Sequence, residues 1–410
     1  MQTILTNCTV IDCTGQAPQA NMTVVIEDKK IAQLKTGTHQ STTSEGGSRV
    51  IDLNGAYVLP GLWGVHAHLG LIIPDPKDYM EKESLPDYTI RAGRNCMDAL
   101  RVGITGIRSV GDRDFVDVAW KRAFNSGMMV GPRLFVSGHY IIATGGHGHE
   151  LPGALEVDGP YQMRKVVRDQ LKHGVDHIKI MVTGGVMTAG ESMHESQLLV
   201  DEIEAATDVA HQKGKRVCVH AGGAAGVKAA IRGGVDCVEH GYYLDDEAIG
   251  MMAEKGTFFV PTLWVTQVSA YKNTAGRTES QLEKSRAATK SHKEGFQKVL
   301  KAGVKIAPGS DGSPIGQNTL SEIEQLVVAG MTEMQALMAA TATSAELCGV
   351  SGQLGTVQVG KLADLIAVTE NPLENITNLK KLKLVLKEGN IVDIQPQEGL
   401  ADFWKLCQGN

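Results

Sequence analysis

Val58-Leu59-Pro60-Gly61-Leu62-Trp63-Gly64-Val65-His66-Ala67-His68 is a short, almost wholly apolar run that ends abruptly in two histidines separated by one alanine. Such a run predicts a strand covered on both faces, as in a parallel sheet, because a strand with one wet face alternates apolar and polar residues instead. In an extended chain residues two apart share a face. His66 and His68 therefore project together and Ala67 points the other way, which is the arrangement two chelating imidazoles need. Alone the pair is weak evidence for a metal, since a hydrogen-bonded core histidine is the commoner fate of any one His. Its weight comes from what recurs downstream.

Apolar runs, each closing in glycine or a polar residue and each followed by a helical stretch, extend from Gly64 to His68, Gly106 to Val110, Arg133 to Gly138, His177 to Thr183, Arg216 to His220, Cys237 to His240, Phe258 to Thr262 and Lys305 to Asp311. Strands alternating with helices predict an α/β fold, and eight such units predict a (β/α)8 TIM barrel. The first sixty residues differ, being short strand-like segments punctuated by Gly, Asn and Asp. The same character returns at Leu365 to Val368 and at Leu384 to Val392, with a hairpin-like turn at Glu388-Gly389-Asn390. Isolated hairpins are marginal in water, so the two chain ends are expected to pair into a small β-sandwich domain. That divides the chain into a sandwich of 1–60 with 356–410 and an inserted barrel of 61–355. The polar stretch from Val265 to Lys298, after the seventh strand, reads either as a lid or as an extended surface helix.

Composition narrows the function. With 410 residues, 42% hydrophobic and 21% charged, the chain has the balance of an ordinary soluble enzyme. A formal charge of −6 with no Lys/Arg cluster argues against a nucleic-acid partner. No apolar run approaches the ~20 residues a membrane span needs. The seven cysteines include no CxxC pair and are odd in number, so neither a disulfide framework nor a thiolate zinc site is indicated, and a cytoplasmic location is expected.

Polar residues that end barrel strands are informative because barrel active sites lie at the C-terminal ends of the strands. HxH ends the first run, His220 the fifth, His240 the sixth and Asp311 the eighth. Lys179 sits in the fourth, on the face opposite Ile178, Ile180 and Val182. A lysine pointing into a barrel is costly to bury as an ammonium ion. A neutral amine there reacts with carbon dioxide to give a carbamate, an anionic ligand with two oxygens able to bridge two metal ions. Each residue has a bland alternative: a salt-bridged lysine, a core histidine, an aspartate capping the next segment. All five positions falling at one end of the inferred barrel is what disfavours those alternatives.

On these residues the chain resembles the amidohydrolase superfamily over nearly its whole length. Val58 to His68 is similar to that family's first-strand motif, and Gly355-Thr356-Val357-Gln358-Val359-Gly360-Lys361-Leu362-Ala363-Asp364-Leu365 to its return into the terminal β domain. The resemblance implies a binuclear site with one metal on His66, His68 and Asp311, a second on His220 and His240, and carboxylated Lys179 between them. Zinc suits imidazole and carboxylate donors, and manganese or cobalt is accommodated by the same set. The branch it looks most similar to is the one related to imidazolonepropionase that includes prolidase-type Xaa-Pro dipeptidases. Imidazolonepropionases are mononuclear and lack the bridging lysine, so Lys179 favours the peptidase side. Homo-oligomers are common in the family and are expected here.

The implied chemistry is attack of a metal-bridging hydroxide on a small amide, with Asp311 shuttling the proton to the leaving nitrogen. Thr144-Gly145-Gly146-His147-Gly148-His149 is a glycine-flanked loop after the third strand, and His147 is the choice for stabilising the oxyanion, with His139 and His149 as competitors. Tyr242 is the choice over Tyr243 for the substrate carboxylate, and a proline pocket is expected near Thr262 to Gln267. The leading substrate is an L-Xaa-L-Pro dipeptide. Dipeptides with other C-terminal residues, and hydrolysis of cyclic amides, carbamates or organophosphate esters, use the same metals with a different pocket. A non-catalytic scaffold would be expected to have lost ligands, and none is missing.

Overall fold

The computed structural model describes residues 2–38, 48–70, 83–272, 274 and 277–394. Alternation of parallel strands with helices is its dominant feature. Strands Leu62–Ala67, Ile104–Ser109 and Arg133–Phe135 form one parallel sheet. Ala154–Glu156, Tyr140–Ile142, His177–Met181, Arg216–Gly223, Cys237–Tyr243 and Phe258–Val260 form another, in that order. Backbone hydrogen bonds link the two. Phe259 N donates to Lys305 O (2.9 Å) and Val65 N to Pro308 O (2.8 Å), placing the eighth run between the seventh strand and the first. Asp176 N donates to Val136 O (2.7 Å), joining the third run to the fourth.

Four expected strands are shorter than their apolar runs, the fourth ending at Met181 and the seventh at Val260. The third stops at Phe135, and the eighth is reduced to a single bridge between Phe259 and Ile306. The fifth and sixth run on past their histidines to Gly223 and Tyr243. Tyr140–Ile142 and Ala154–Glu156, which the apolar pattern did not distinguish, flank the loop that carries His147.

Burial explains why these segments are strands. Ile178, Ile180, Val182, Val217, Val219 and Val238 belong to the cluster packed under the helices, while Val65, Cys218, Cys237, Val260 and Ala307 form a separate cluster on the opposite face. Leu62–Ala67, Ile104–Ser109, His177–Met181 and Phe258–Val260 are buried at every residue, which near-continuous apolarity requires.

The chain ends pair as expected: Leu365–Val368 lies antiparallel to Tyr57–Pro60, with Leu365 opposite Pro60 and Val368 opposite Tyr57. The predicted hairpin is present, with Lys387 opposite Asn390 and positive φ at Glu388 (51°) and Gly389 (74°). The strands make one continuous hydrogen-bonded path, because Tyr57–Pro60 bonds Gln2–Val10 on one side and Leu365–Val368 on the other. One face of that path buries Leu5, Val24, Ile26, Val58, Leu365 and Leu386 in a common cluster.

The polar segment after the seventh strand is neither a plain surface helix nor, in its described part, a free flap; residues 273, 275 and 276 of it lie outside the described residues. A π-helical turn, Trp264–Ser269, leads to a long helix, Glu279–Lys301, opened by a capping box between Thr278 and Gln281. That helix buries Leu282, Ala288, His292, Phe296 and Val299. It also grips the loop after the fourth strand: Lys284 Nζ donates to Thr188 O (2.8 Å) and Gly185 O (3.2 Å), and Gln281 Nε2 to Met187 O (2.9 Å). No described helix is long and apolar enough to cross a membrane.

Glu322, on helix Ile315–Val328, is fully buried and accepts from Leu263 N (2.9 Å) and Trp264 N (2.6 Å), tying that helix to the rim of the seventh strand. Burial outweighs those two donors and pushes its carboxyl up to about 8. Between its unfolded value of 4.5 and about 8 the folded chain therefore holds a proton that the unfolded chain has released, so stability from this group is full below that window and declines as pH rises through it. The apparent Tm of the wild type is expected to fall by several degrees between pH 5 and 8, and Glu322→Gln to flatten the slope; parallel slopes in a thermal-shift series would overturn this assignment.

Candidate active site

All six residues expected to bind metal line one cleft. Backbone conformation does part of the gathering. His240, Thr262 and Asp311, at or just beyond the ends of the sixth, seventh and eighth runs, have left-handed φ of 73°, 51° and 50°. A non-glycine residue there costs about 1 kcal/mol, and its side chain leaves the strand in a direction regular alternation forbids. The effect is clearest in Cys237-Val238-Glu239-His240. Val238 packs under the helices, Cys237 and Glu239 face inside, and alternation would send His240 outward; its ring instead lies 4.9 Å from His66 and 4.4 Å from His220. Close approach matters as well. A Cβ on Gly309 would stand 2.3 Å from His66 Cβ, so only glycine lets the eighth run pass the first at this level.

His66 Nε2 and His68 Nε2 lie 3.5 and 3.4 Å from Asp311 Oδ1. Two metal–ligand bonds of roughly 2.0–2.1 Å at a tetrahedral angle separate their donor atoms by about 3.3 Å, so this triad has the span of one coordination sphere. Among the described residues these three are the group of His, Cys, Asp and Glu whose donor atoms all fall within 4.8 Å of one another. His220 and His240 stand beside them as neighbouring rings, with Lys179 reaching the same cleft from the fourth strand. Lys179 is 1% exposed, and its Nζ has no hydrogen-bond partner among the described residues.

The second nitrogen of each imidazole is already committed. His66 Nδ1 donates to Glu239 Oε2 (2.7 Å) and His68 Nδ1 to Gly111 O (2.7 Å), while His240 Nδ1 is bonded to Thr262 Oγ1 (2.7 Å), which leaves Nε2 free on all three. His220 is reversed: Nε2 donates to Gly184 O (3.3 Å), so Nδ1 is its free atom. Burial, then neighbouring imidazoles, hold His220 and His240 well below the ordinary histidine range, so both present neutral lone pairs. Burial would raise the Asp311 carboxyl, but His66 and His68 outweigh it and keep the group ionised. The donor set of imidazoles, an ionised carboxylate and an orphaned buried amine fits a divalent metal site.

The remaining expected residues separate cleanly. His147 lines the cleft with its ring 4.3 Å from His220, whereas His139 Nδ1 is bonded to Gly153 O (3.0 Å) and His149 is turned to Glu150 with its side chain 44% exposed. Tyr242 is buried in the cleft wall, stacked 5.3 Å from His240, while Tyr243 packs against His194. Of Thr262 to Gln267, Val265 reaches the cleft. Thr266 Oγ1 is bonded to His292 Nδ1 (2.7 Å), and Gln267 Nε2 donates to Thr289 O (2.8 Å), so both are used within the fold.

Several residues of the site escaped the sequence reading. Glu239 accepts from His66 and from Arg108 Nη2 (2.6 Å), and Arg108 Nε donates to Val65 O (2.5 Å). Burial alone would raise the Glu239 carboxyl, yet Arg108 and His66 hold it well below the usual carboxylate range. Its sequence signal was an acid inside an apolar strand, sharing a face with Cys237. Glu191 accepts from His147 Nδ1 (2.7 Å), and Gln197 takes the His147 backbone N–H (3.0 Å), so both orient the proposed oxyanion donor. Arg277 also lines the cleft and had no periodic signal at all. Replacing Glu239 by Gln is expected to weaken divalent-metal affinity by about 10–100-fold in a chelator competition while far-UV circular dichroism is retained; unchanged affinity would remove its orienting role.

The model for the Amidohydrolase family matches residues 57–392. Ochratoxinase of Aspergillus niger is 32% identical over 409 residues, covering 90% of this chain and 81% of that protein. Among solved structures, an Xaa-Pro dipeptidase with methionine bound in its active site superposes with a TM-score of 0.88 at 34% identity, covering 96% of this chain and 100% of that one. A prolidase complexed with N-methylphosphonate-L-proline gives 0.87 at 28% identity, covering 96% and 99%. Agreement of this extent, over a chain whose strand ends carry the donors described above, establishes that the protein belongs to the amidohydrolase family.

Proposed function

We propose that this amidohydrolase is a metal-dependent dipeptidase that cleaves the amide bond of small dipeptides, with L-Xaa-L-Pro as its preferred class. The observation that carries the reading is the convergence of His66, His68, Lys179, His220, His240 and Asp311 on one cleft that also holds His147 and Tyr242. The likeness to an Xaa-Pro dipeptidase and to a prolidase supports the substrate class. We read the two parallel arcs as one closed (β/α)8 barrel over 61–355, a reading supported by the backbone bonds at Val65, Phe259 and Asp176. The chain ends, 1–60 and 356–410, make the β-sandwich domain of this reading, with 395–410 outside the described residues. The six described cysteines are free thiols, which favours a reducing, cytoplasmic setting.

In this reading His66, His68 and Asp311 hold one cation, zinc being the best match to the donors, and His220 and His240 hold a second. Lys179, carboxylated by carbon dioxide, would supply a further anionic donor to them. Carboxylation resolves its otherwise unpaired burial by turning a costly ammonium into an anion with partners. When bound, the cations polarise the scissile carbonyl and acidify water enough to make it a nucleophile near neutral pH. Asp311 accepts the proton lost by the attacking water and returns it to the departing nitrogen. His147, held through Nδ1 by Glu191, presents Nε2 to the oxygen that gains charge. Tyr242 offers a phenol to the substrate carboxylate.

A second reading follows from the ochratoxinase relative, namely that the cleft takes ochratoxin. Protein loaded with zinc, manganese or cobalt in bicarbonate buffer is expected to hydrolyse Xaa-Pro dipeptides with kcat/KM at least tenfold above other dipeptides, and to lose the activity on chelation. Inactivity on the whole Xaa-Pro panel beside turnover of ochratoxin would select the second reading. His147→Asn is expected to lower kcat by about 10²–10³ with KM changed only a few-fold, as removal of an oxyanion donor does.

A further inference from the structure

Arg277 enters the cleft from the segment just ahead of helix Glu279–Lys301. Its Nε and Nη1 are shielded from solvent and meet no acceptor among the described residues. Other arginines of the chain find acceptors: Arg108 meets Glu239 and the Val65 carbonyl, Arg133 meets Asp364 and Glu388, Arg286 meets Glu279 and the Ala270 carbonyl. A guanidinium is charged at every accessible pH, and a buried unpaired charge is strongly disfavoured. Burial draws the Arg277 pKa below the ordinary arginine value, against the opposing pull of Asp311 and Tyr242, which places the cation within the field of both groups.

We infer that Arg277 is the receptor for a carboxylate carried by the leaving amine, and that it restricts the enzyme to amides whose departing half is an amino acid with a free C-terminus. The inference rests on the dipeptidase reading and deepens it. The two parallel donors of a guanidinium fork match the two oxygens of a carboxylate, which the single hydroxyl of Tyr242 does not. Tyr242 also brings no charge, and an anion drawn from water into a cleft walled by Val186, Met187 and Val265 needs one. The carboxylate is assigned to the departing half because Arg277 lines the same cleft as Tyr242, the hydroxyl already offered to the substrate carboxylate, and as Asp311, the group assigned to the departing nitrogen. A neutral compound in the cleft, whether a cyclic amide, a carbamate or a phosphotriester, would bury the guanidinium without a partner. Such sites reject analogues that lack the matching group far more strongly than apolar pockets do.

Binding, which does not depend on turnover, tests this. N-methylphosphonate-L-proline and N-methylphosphonate-L-phenylalanine, each as the free acid and as the C-terminal amide, are titrated calorimetrically into the metal-loaded wild type, Arg277→Gln and Arg277→Lys, with the metal content and Tm of each protein checked. The wild type is expected to prefer acid over amide by on the order of 30-fold, a loss typical of a charge-assisted pair. Arg277→Gln should reduce the preference to within about threefold and Arg277→Lys should retain an intermediate part of it. Equal weakening of acid and amide in Arg277→Gln, or an unchanged ratio, overturns the inference. Equal affinities for the prolyl and phenylalanyl acids, with the same Arg277-dependent ratio, would refute the Xaa-Pro preference and leave the carboxylate receptor standing.

Discussion

Glu239 has no contact with water, and its carboxylate joins two elements that would otherwise be independent: Arg108 on the second strand and His66 at the end of the first. Arg108 in turn reaches back to the Val65 carbonyl beside His66. Burying an acid and a base together is expensive unless every lone pair and proton is matched, and here Glu239 also accepts from the Cys237 thiol (3.0 Å). What that arrangement secures is direction. His66 cannot rotate without giving up the bond at Nδ1, so Nε2 remains aimed at Asp311.

The same economy recurs around the rim. The free nitrogen of each imidazole is selected by what its other nitrogen touches, and those partners are backbone carbonyls or buried side chains rather than mobile surface groups. Left-handed backbone at His240 and Asp311 adds strain that the surrounding packing must offset. The loops nearer the substrate are held differently. Lys284 and Gln281 bond the backbone between Gly185 and Thr188, coupling the long helix after the seventh strand to the loop after the fourth. Arg277 and the Val186-Met187 part of that loop thus line one cleft.

Much of this was legible from residue order. Eight apolar runs pointed to strands alternating with helices, and polar residues at their ends pointed to side chains that line one cleft. Lys179 was read on the face opposite Ile178, Ile180 and Val182, and on a straight strand that alternation brings it to the cleft. His240 and Asp311 were found through their place at strand ends, although the backbone conformation that turns them inward has no local sign. The segment after the seventh strand read either as a lid or as a surface helix because its buried residues are spaced among lysines and glutamates, and their value depends on the strand they meet.

Period and punctuation along the chain determined which segments become strands, which end of each bears the donors, and that the two termini meet, because those follow from local burial and turn chemistry. Only the tertiary structure decided that Glu239 grips His66 across 173 residues, that His147 rather than His139 or His149 stands by His220, and that Arg277 faces the cleft. Such contacts depend on how separate elements close on one another, and long-range closure leaves no periodic trace in the segments it joins.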